Sequence, residues 1–153
     1  NYGISVEVED YLFFSENFNL PDESEFNIVE KNIKMMKIAK GSKITLKNVF
    51  FDFDKHDIKS ESYPELDRLV DLLLEFPDMQ VELSGHTDDV GSKKYNKKLS
   101  QKRSDEVRKY LISKGISKDR LFTISYGEER PFCQDSTENC WKSNRRGHFL
   151  VSN

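Results

Sequence analysis

The hydrophobic residues of this chain follow strand and helix periods most clearly from residue 45 onward. Leu46–Phe53 is rich in Val and Phe, which predicts a buried strand. Apolar residues then recur at helical spacing from Tyr63 to Leu74, with Ser60 as a candidate N-cap and Pro77 as a stop signal. These features predict a strand followed directly by an amphipathic helix.

A second strand and helix are predicted after the first pair. Alternating residues indicate a strand over Gln80–Ser84, which ends at Gly85. A helix is predicted from about Lys93 to Lys114, because its apolar stripe has helical spacing and Gly115 is a natural stop. The stripe consists of Leu99, Val107, Tyr110 and Leu111.

The last part of the chain predicts two short strands separated by a long polar loop. Leu121–Tyr126 and Phe149–Val151 favour strands, and residues 127–143 between them are polar. The order β-α-β-α-β-β predicts an α/β fold, a two-layer α+β sandwich with a mixed sheet. Right-handed crossovers would put both helices on one face of that sheet.

Residues 1–45 differ from the rest of the chain. Alternation over Ile4–Val8 predicts a half-buried strand, residues 15–25 have the composition of a turn or linker, and residues 26–38 favour an extended segment. We therefore expect 1–45 to be a β-containing segment and linker, the tail of a preceding module, and 46–153 to be a separate domain.

Charge and hydropathy exclude several classes of protein. A net charge of -3 argues against a nucleic-acid binder, which usually has a basic excess. Five lysines near the start of the second helix fit a solvated helix face. No apolar run approaches the roughly 18 residues that span a bilayer, so no membrane insertion is expected. The chain starts at Asn1 without a Met, so we expect a fragment, and the missing signal peptide does not indicate a compartment.

The two cysteines fit a disulfide better than a metal site. Cys133 and Cys140 lie in one polar segment, and a single distant His148 completes a poor ligand set for zinc. A bridge between them would favour an oxidising compartment, whereas two unpaired thiols would not. Asp52–Asp57 lacks the Gly and the distant Glu of a calcium loop. No metal and no cofactor are predicted.

The most informative stretch is Gly85–Gly91 together with the helix that follows it. It brings a carboxylate (Asp88), an amide (Asn96) and a guanidinium (Arg103) to one rim, and Leu99 and Arg103 share a helix face at i and i+4. A planar guanidinium grips a carboxylate bidentately, and an aspartate binds an ammonium. The rim therefore suits a zwitterionic ligand, which indicates amino-acid recognition more than bond-breaking chemistry.

Short matches to one known family are spread in order over the chain from residue 48 to its end. They are Val49–Asp54, Gly85–Asp88 with Gly91, Asn96 with Leu99-Ser100 and Arg103, Val107 with Tyr110-Leu111, Gly115-Ile116, Tyr126–Glu128 with Pro131, and Asn144–Arg146. On these matches, residues 48–153 resemble the peptidoglycan-binding domain of the OmpA C-terminal-like family, which includes the peptidoglycan-associated lipoproteins. Residues 1–45 lie outside the resemblance, as in multidomain envelope proteins of Bacteroidetes type.

The resemblance implies a function. Family members hold the peptidoglycan stem peptide non-covalently, chiefly through its meso-diaminopimelate. By similarity, Asp88 would bind the ammonium and Arg103 the carboxylate of that residue. The pocket would be lined and closed by Thr87, Asn96, Leu99, Asp54 and Arg145. The expected location is the periplasm, in association with the outer membrane of a diderm bacterium, with other envelope proteins as further partners.

Other interpretations of these residues stay open at this stage. An Asp near an Arg is usually only a salt bridge, Asp54 also fits a turn or cap, and Arg145 could instead brace its loop. The stretch Cys140–Ser143 departs from the family pattern, so an interaction module that keeps the fold without wall binding is the alternative function. An enzyme is not predicted, since no nucleophile pair with His and no metal-ligand set is present.

Overall fold

The computed structural model describes residues 2–18, 30–39, 43–46, 49–145 and 147–151. The chain divides into two compact units, Asn1–Ile38 and Ala39–Asn153. In the first unit, β1 (Tyr2–Val6) pairs antiparallel with β2 (Phe14–Phe18). β1 thus begins and ends two residues earlier than the strand predicted over Ile4–Val8.

The rest of the first unit has little regular structure. Tyr11 forms an isolated bridge with Lys37, and Leu12 and Phe13 are buried. Most of the predicted linker over 15–25, and the start of the predicted extended segment over 26–38, lie outside the described residues. The four described residues that open that linker, 15–18, are part of β2 instead.

A four-stranded mixed sheet forms the centre of the second unit. Its strands are β3 (Lys43–Leu46), β4 (Val81–His86), β5 (Leu121–Gly127) and β6 (Gly147–Val151), in the order β3-β6-β4-β5. β4 and β5 are parallel, whereas β6 runs antiparallel to both of its neighbours. The predicted α/β class with a mixed sheet is confirmed. The expected boundary after residue 45 falls within β3, which belongs to this sheet.

The strand predicted over Leu46–Phe53 is wrong. β3 ends at Leu46, and from Val49 to Phe53 the described backbone forms only one isolated bridge, between Phe51 and Ile58. The predicted burial of this segment is nevertheless observed, because the side chains of Val49 and Phe51 are only 1% and 6% exposed. These side chains fill the core from an irregular segment, a case that hydrophobicity alone does not distinguish from a buried strand.

The first predicted helix is confirmed as α1 (Tyr63–Glu75), preceded by a short 3-10 helix over Ser60–Ser62. Ser60 does not act as its cap. Ser62 occupies the N-cap position, but its hydroxyl accepts a hydrogen bond from the Phe50 amide at 2.8 Å instead of capping the helix. This bond ties the irregular segment to the start of α1.

The second predicted helix is confirmed as α2 (Lys93–Ser113). Its N-cap is Ser92, whose hydroxyl accepts from the Tyr95 amide at 3.2 Å. Beyond its C-terminus Gly115 has φ of 96°, the left-handed conformation that favours glycine at a helix stop. The glycine stop was predicted from the sequence, whereas the Ser92 cap was not.

The core of the second unit lies between the helices and the sheet. α2 packs on β4 and β5, and α1 contacts α2. The interior is built from fully buried Leu, Ile and Val side chains, each of which contributes roughly 1.5–3 kcal/mol by leaving water. They include Leu66, Leu69, Leu73, Val81, Leu83, Leu111, Ile116 and Leu121.

The polar stretch 127–143 is not an uninterrupted loop as predicted, because it contains most of α3 (Glu138–Asn144). Thr137 caps this helix by accepting a hydrogen bond from the Cys140 amide at 3.3 Å. A helix of two turns with a polar composition shows no apolar stripe, so periodicity could not reveal it.

Candidate functional site

The carboxyl end of β4 and the first half of α2 bring most of the predicted site residues together. Thr87 and Asp88 follow β4 directly and are 2% and 5% exposed. Asn96, Leu99 and Arg103 are buried on α2, as expected of residues that share one helix face. A carboxylate and a guanidinium therefore lie in the same buried region.

Small residues allow β4 and α2 to approach each other this closely. A Cβ atom at Gly85 would lie 2.1 Å from the carbonyl oxygen of Ser100, so there is no room for a side chain. The Ser100 hydroxyl accepts a hydrogen bond from the Gly127 amide at 2.9 Å and lies 2.8 Å from the Ser125 hydroxyl. The site is thus built on a direct backbone contact between strand and helix.

Arg103 donates to three backbone carbonyls around it. Its Nε reaches the Lys55 carbonyl at 3.0 Å, its Nη2 the Asp52 carbonyl at 3.2 Å, and its Nη1 the His86 carbonyl at 3.3 Å. The guanidinium carbon also lies 5.1 Å from the centre of the Phe51 ring. Arg103 therefore holds the segment before α1 against the end of β4.

Burial makes Arg103 electrostatically unusual. Desolvation lowers the pKa of its guanidinium to about 10, although the nearby charge of Asp88 acts in the opposite direction. The charge of Arg145 also disfavours protonation of Arg103, which means that two guanidinium groups lie near one carboxylate. At neutral pH both remain positively charged.

Asp88 forms its ion pair with Arg145, not with Arg103. Arg145 Nη1 donates to Asp88 Oδ2 at 2.6 Å, and Arg145 Nη2 donates to Glu138 Oε1 at 2.8 Å. Burial disfavours the charged form of Arg145, but the hydrogen bonds to the two carboxylates outweigh it and raise the pKa of the guanidinium. The roles of Asp88 and Arg103 as two poles of a ligand clamp stay predictions.

Asn96 connects the site to a carboxylate for which no role was predicted. Its Nδ2 donates to Glu128 Oε2 at 2.6 Å and to the Asp88 carbonyl at 3.3 Å. Glu128 follows Gly127, the last residue of β5, which is the neighbour of β4 in the sheet. Parallel strands end at the same sheet edge, and this was the available signal for Glu128.

Asp54 adopts the turn conformation that was the alternative interpretation for it. Its φ is 58°, and the Lys55 amide bonds back to the Asp52 carbonyl at 3.1 Å. The Asp54 carboxylate is exposed and accepts a hydrogen bond from the Tyr95 hydroxyl. Its part in ligand binding stays a prediction.

Thr87 has a buried hydroxyl without a hydrogen-bond partner in the part of the chain that the structure describes. Its amide donates to the Gly127 carbonyl at 2.9 Å, which fixes the backbone. The preceding His86 is buried, lies 3.5 Å from the Ser84 hydroxyl and stacks on Tyr126, with ring centres 5.3 Å apart. His86 therefore supports the start of the loop.

A disulfide joins Cys133 to Cys140, with 5.7 Å between their Cα atoms. It closes the segment that leads into α3 and then to Arg145. Among the described residues, no group of three or more His, Cys, Asp or Glu side chains is placed to hold a metal ion. Within the same residues, none of the helices is both long and apolar enough to cross a membrane.

The arrangement defines a class of protein: a two-layer α/β domain with a buried carboxylate paired to one guanidinium group and near a second one at one sheet edge. A family model described as the OmpA family matches residues 50–145, and the chain belongs to that family.

Individual relatives agree with this assignment. The chain is 34% identical over 140 residues to the peptidoglycan-associated lipoprotein of Buchnera aphidicola subsp. Baizongia pistaciae, covering 90% of this chain and 78% of that protein. It is 41% identical over 99 residues to outer membrane porin F of Pseudomonas fluorescens, covering 65% of this chain but only 30% of the porin. The crystal structure of the peptidoglycan-associated lipoprotein from Burkholderia pseudomallei superimposes with a TM-score of 0.63 at 31% identity, over 67% of this chain and 86% of that chain.

Proposed function

We propose that the second unit binds peptidoglycan without cleaving it, by holding the diaminopimelate residue of a stem peptide. In this role it anchors an outer-membrane protein or complex to the cell wall, in the periplasm of a diderm bacterium. Membership of the OmpA family supports the proposal, as do relatives named peptidoglycan-associated lipoprotein.

The observation that carries the proposal is a buried carboxylate with hydrogen-bonding capacity left over. Asp88 Oδ2 is occupied by Arg145, but among the described residues Oδ1 receives only a long 3.4 Å contact from the Val90 amide. The neighbouring Thr87 hydroxyl has no partner there either. Buried polar groups of this kind normally find partners, and a ligand ammonium is able to supply them.

The free end of diaminopimelate is a zwitterion, and its charges match the site. The ammonium would donate to Asp88 Oδ1 and the Thr87 hydroxyl. The carboxylate would lie against Arg145 and the two remaining N–H groups of Arg103, so that positive and negative groups alternate. The Asp88–Arg145 pair stays intact in this arrangement, and Leu99 and Asn96 form the wall beside it.

The expected affinity is modest. Charge-assisted hydrogen bonds contribute roughly 1.5–3 kcal/mol each. After the entropy of association is subtracted, one stem peptide would bind with a Kd of about micromolar to millimolar. A polymeric wall presents many copies, which raises the effective strength of attachment.

The test compares two stem tripeptides that differ only at the third residue. One carries meso-diaminopimelate, and the other carries lysine, which keeps the ammonium but lacks the second carboxylate. We expect NMR titration of the chain to show binding of the first peptide and at least about tenfold weaker binding of the second.

Asp88→Asn removes the charge that would hold the ammonium and should weaken binding of the diaminopimelate peptide by about tenfold or more. Asp89→Asn is the matched control, because Asp89 is adjacent, equally charged and exposed. Equal effects of the two substitutions, or no chemical-shift change at millimolar peptide, would exclude the proposal.

A second candidate is a protein-interaction module without wall binding. Exposed aromatic side chains favour it, since Phe53 is 63%, Phe132 65% and Tyr95 46% exposed. This function predicts that Asp88→Asn leaves retention of the chain in the envelope unchanged. It also predicts that Phe53→Ala or Phe132→Ala abolishes contact with an envelope partner.

A further inference from the structure

The segment between β5 and β6 contains contacts that the zwitterion site by itself does not require. We call residues 133–145 the disulfide arm. It contains the Cys133–Cys140 bridge and α3, and it ends in Arg145, which reaches Asp88. The arm therefore supplies one charged group to the site from a distant part of the chain.

Asn144 links the disulfide to the end of the arm. Its Oδ1 accepts from the Phe132 amide at 2.7 Å and from the Cys133 amide at 3.2 Å. Its Nδ2 donates to the Cys133 carbonyl at 3.0 Å and lies 3.8 Å from Cys140 Sγ. Because Asn144 is 5% exposed, these bonds are largely shielded from water.

Arg145 follows Asn144 directly and is held from two sides. Glu138, in the first turn of α3, binds one nitrogen of its guanidinium, and Asp88 binds another. The Arg145 amide also donates to the Trp141 carbonyl at 3.0 Å. The arm thus holds the backbone of Arg145 through Trp141 and its side chain through Glu138, and Asp88 holds the same side chain from outside the arm.

We infer that the disulfide arm is the specificity-determining element for the ligand's carboxylate, and that the bridge and Asn144 act as positioning groups for Arg145. The inference rests on the proposed function. A guanidinium held in place loses little freedom on binding, whereas one on a loose arm must be ordered by the ligand. Without the bridge, preference for a carboxylate should fall although Arg145 itself is unchanged.

The test uses a ratio of two affinities. One ligand is the meso-diaminopimelate tripeptide, and the other is the same peptide with that free carboxylate amidated. We expect wild type to prefer the free acid by about tenfold or more. The preference should fall at least about threefold in Arg145→Ala, in Cys133→Ser/Cys140→Ser and in Asn144→Ala. A substitution that only loosens the fold would weaken both peptides equally and leave the ratio unchanged.

A double-mutant cycle then links the bridge to Arg145. If the bridge acts through Arg145, adding Cys133→Ser/Cys140→Ser to Arg145→Ala should lower the ratio no further. Glu129→Gln is the control for a lost charge at the base of the same segment, where Glu129 forms an exposed pair with Lys97 at 3.3 Å. The ratio of the affinities of Glu129→Gln for the free-acid and the amidated peptide should equal that of wild type.

The outcomes separate this inference from the proposed function. If wild type binds neither peptide, both fail. If wild type prefers the free acid and the folded variants keep that preference, the proposed function stands and the role of the arm is refuted. Should the cysteine variant not fold, Asn144→Ala decides, because it leaves the bridge in place.

Discussion

Gly85→Ala is the substitution whose effect follows most directly from the geometry. The new methyl group would lie 2.1 Å from the Ser100 carbonyl oxygen and 2.9 Å from its carbonyl carbon. Both atoms belong to the backbone of α2, so no side-chain rotation relieves the contact. The strand and the helix have to separate by roughly an ångström at this point.

The free energy of unfolding that Gly85→Ala should lose lies at or above the upper end of the range measured for overpacked cores. Such substitutions usually cost about 1–3 kcal/mol, and here the rigid neighbours favour about 3 kcal/mol or more. For a chain of this size, ~3 kcal/mol corresponds to a fall in Tm of roughly 6–12 °C. Binding should weaken as well, because β4 leads to Asp88 and α2 carries Arg103.

Denaturant unfolding followed by the fluorescence of Trp141 measures this cost. Trp141 is the single tryptophan and lies in α3, so it reports on the second unit. Gly115→Ala is the control, because no atom lies within 4 Å of its added methyl group, although φ of 96° still strains an L-residue. We expect it to cost about 1–2 kcal/mol. A cost below about 1 kcal/mol for Gly85→Ala would refute the close-approach argument.

Three further predictions concern groups that hold the second unit together. Arg103→Met keeps the aliphatic stem but loses three hydrogen bonds, so it should lower the free energy of unfolding by about 2–4 kcal/mol. Arg108→Met is the control at a less buried position, and it should lower the same free energy by about 1 kcal/mol in the same denaturant titration. Ser100→Ala leaves a buried amide without its acceptor and should cost about 1–3 kcal/mol. The Tyr110 hydroxyl lowers the pKa of the Asp67 carboxyl, so an NMR titration of Tyr110→Phe should find that pKa raised. The hydrogen bond to the ionised Asp67 carboxylate stabilises the fold at pH values above the pKa that Asp67 has in the unfolded chain. This stabilisation is lost as the pH falls through the pKa of Asp67 in the folded chain. The difference in unfolding free energy between wild type and Tyr110→Phe should therefore vanish in acid.

Local patterns were sufficient to predict the elements whose signals lie within a few residues of each other. α1 and α2 were predicted because their apolar stripes, proline stop and glycine stop are contained in the segments themselves. The segment from Val49 to Phe53 was mistaken for a strand because its burial depends on tertiary packing that periodicity does not encode. α3 was missed because a seven-residue helix with only two apolar residues, Cys140 and Trp141, gives no periodic signal.

The candidate site could be predicted only in part for a related reason. Thr87, Asp88, Asn96 and Arg103 lie within one strand, loop and helix, so their proximity follows from helix geometry. The Asp88–Arg145 pair joins residues 57 positions apart, and the sequence does not reveal that Arg145 pairs there. Glu138 was missed because its role depends on the unpredicted helix. Glu128 lies in one of the family matches and at the end of the parallel neighbour β5, but no role was predicted for it.

The central claim is that the Asp88 carboxylate and the nearby guanidinium groups hold a zwitterion. A crystal structure of the chain with a meso-diaminopimelate tripeptide tests it most directly. We predict that the ligand ammonium lies about 3 Å from Asp88 Oδ1 and that its carboxylate lies about 3 Å from the guanidinium of Arg145 or Arg103. A peptide bound elsewhere, with Asp88 contacting only Arg145, would contradict the account.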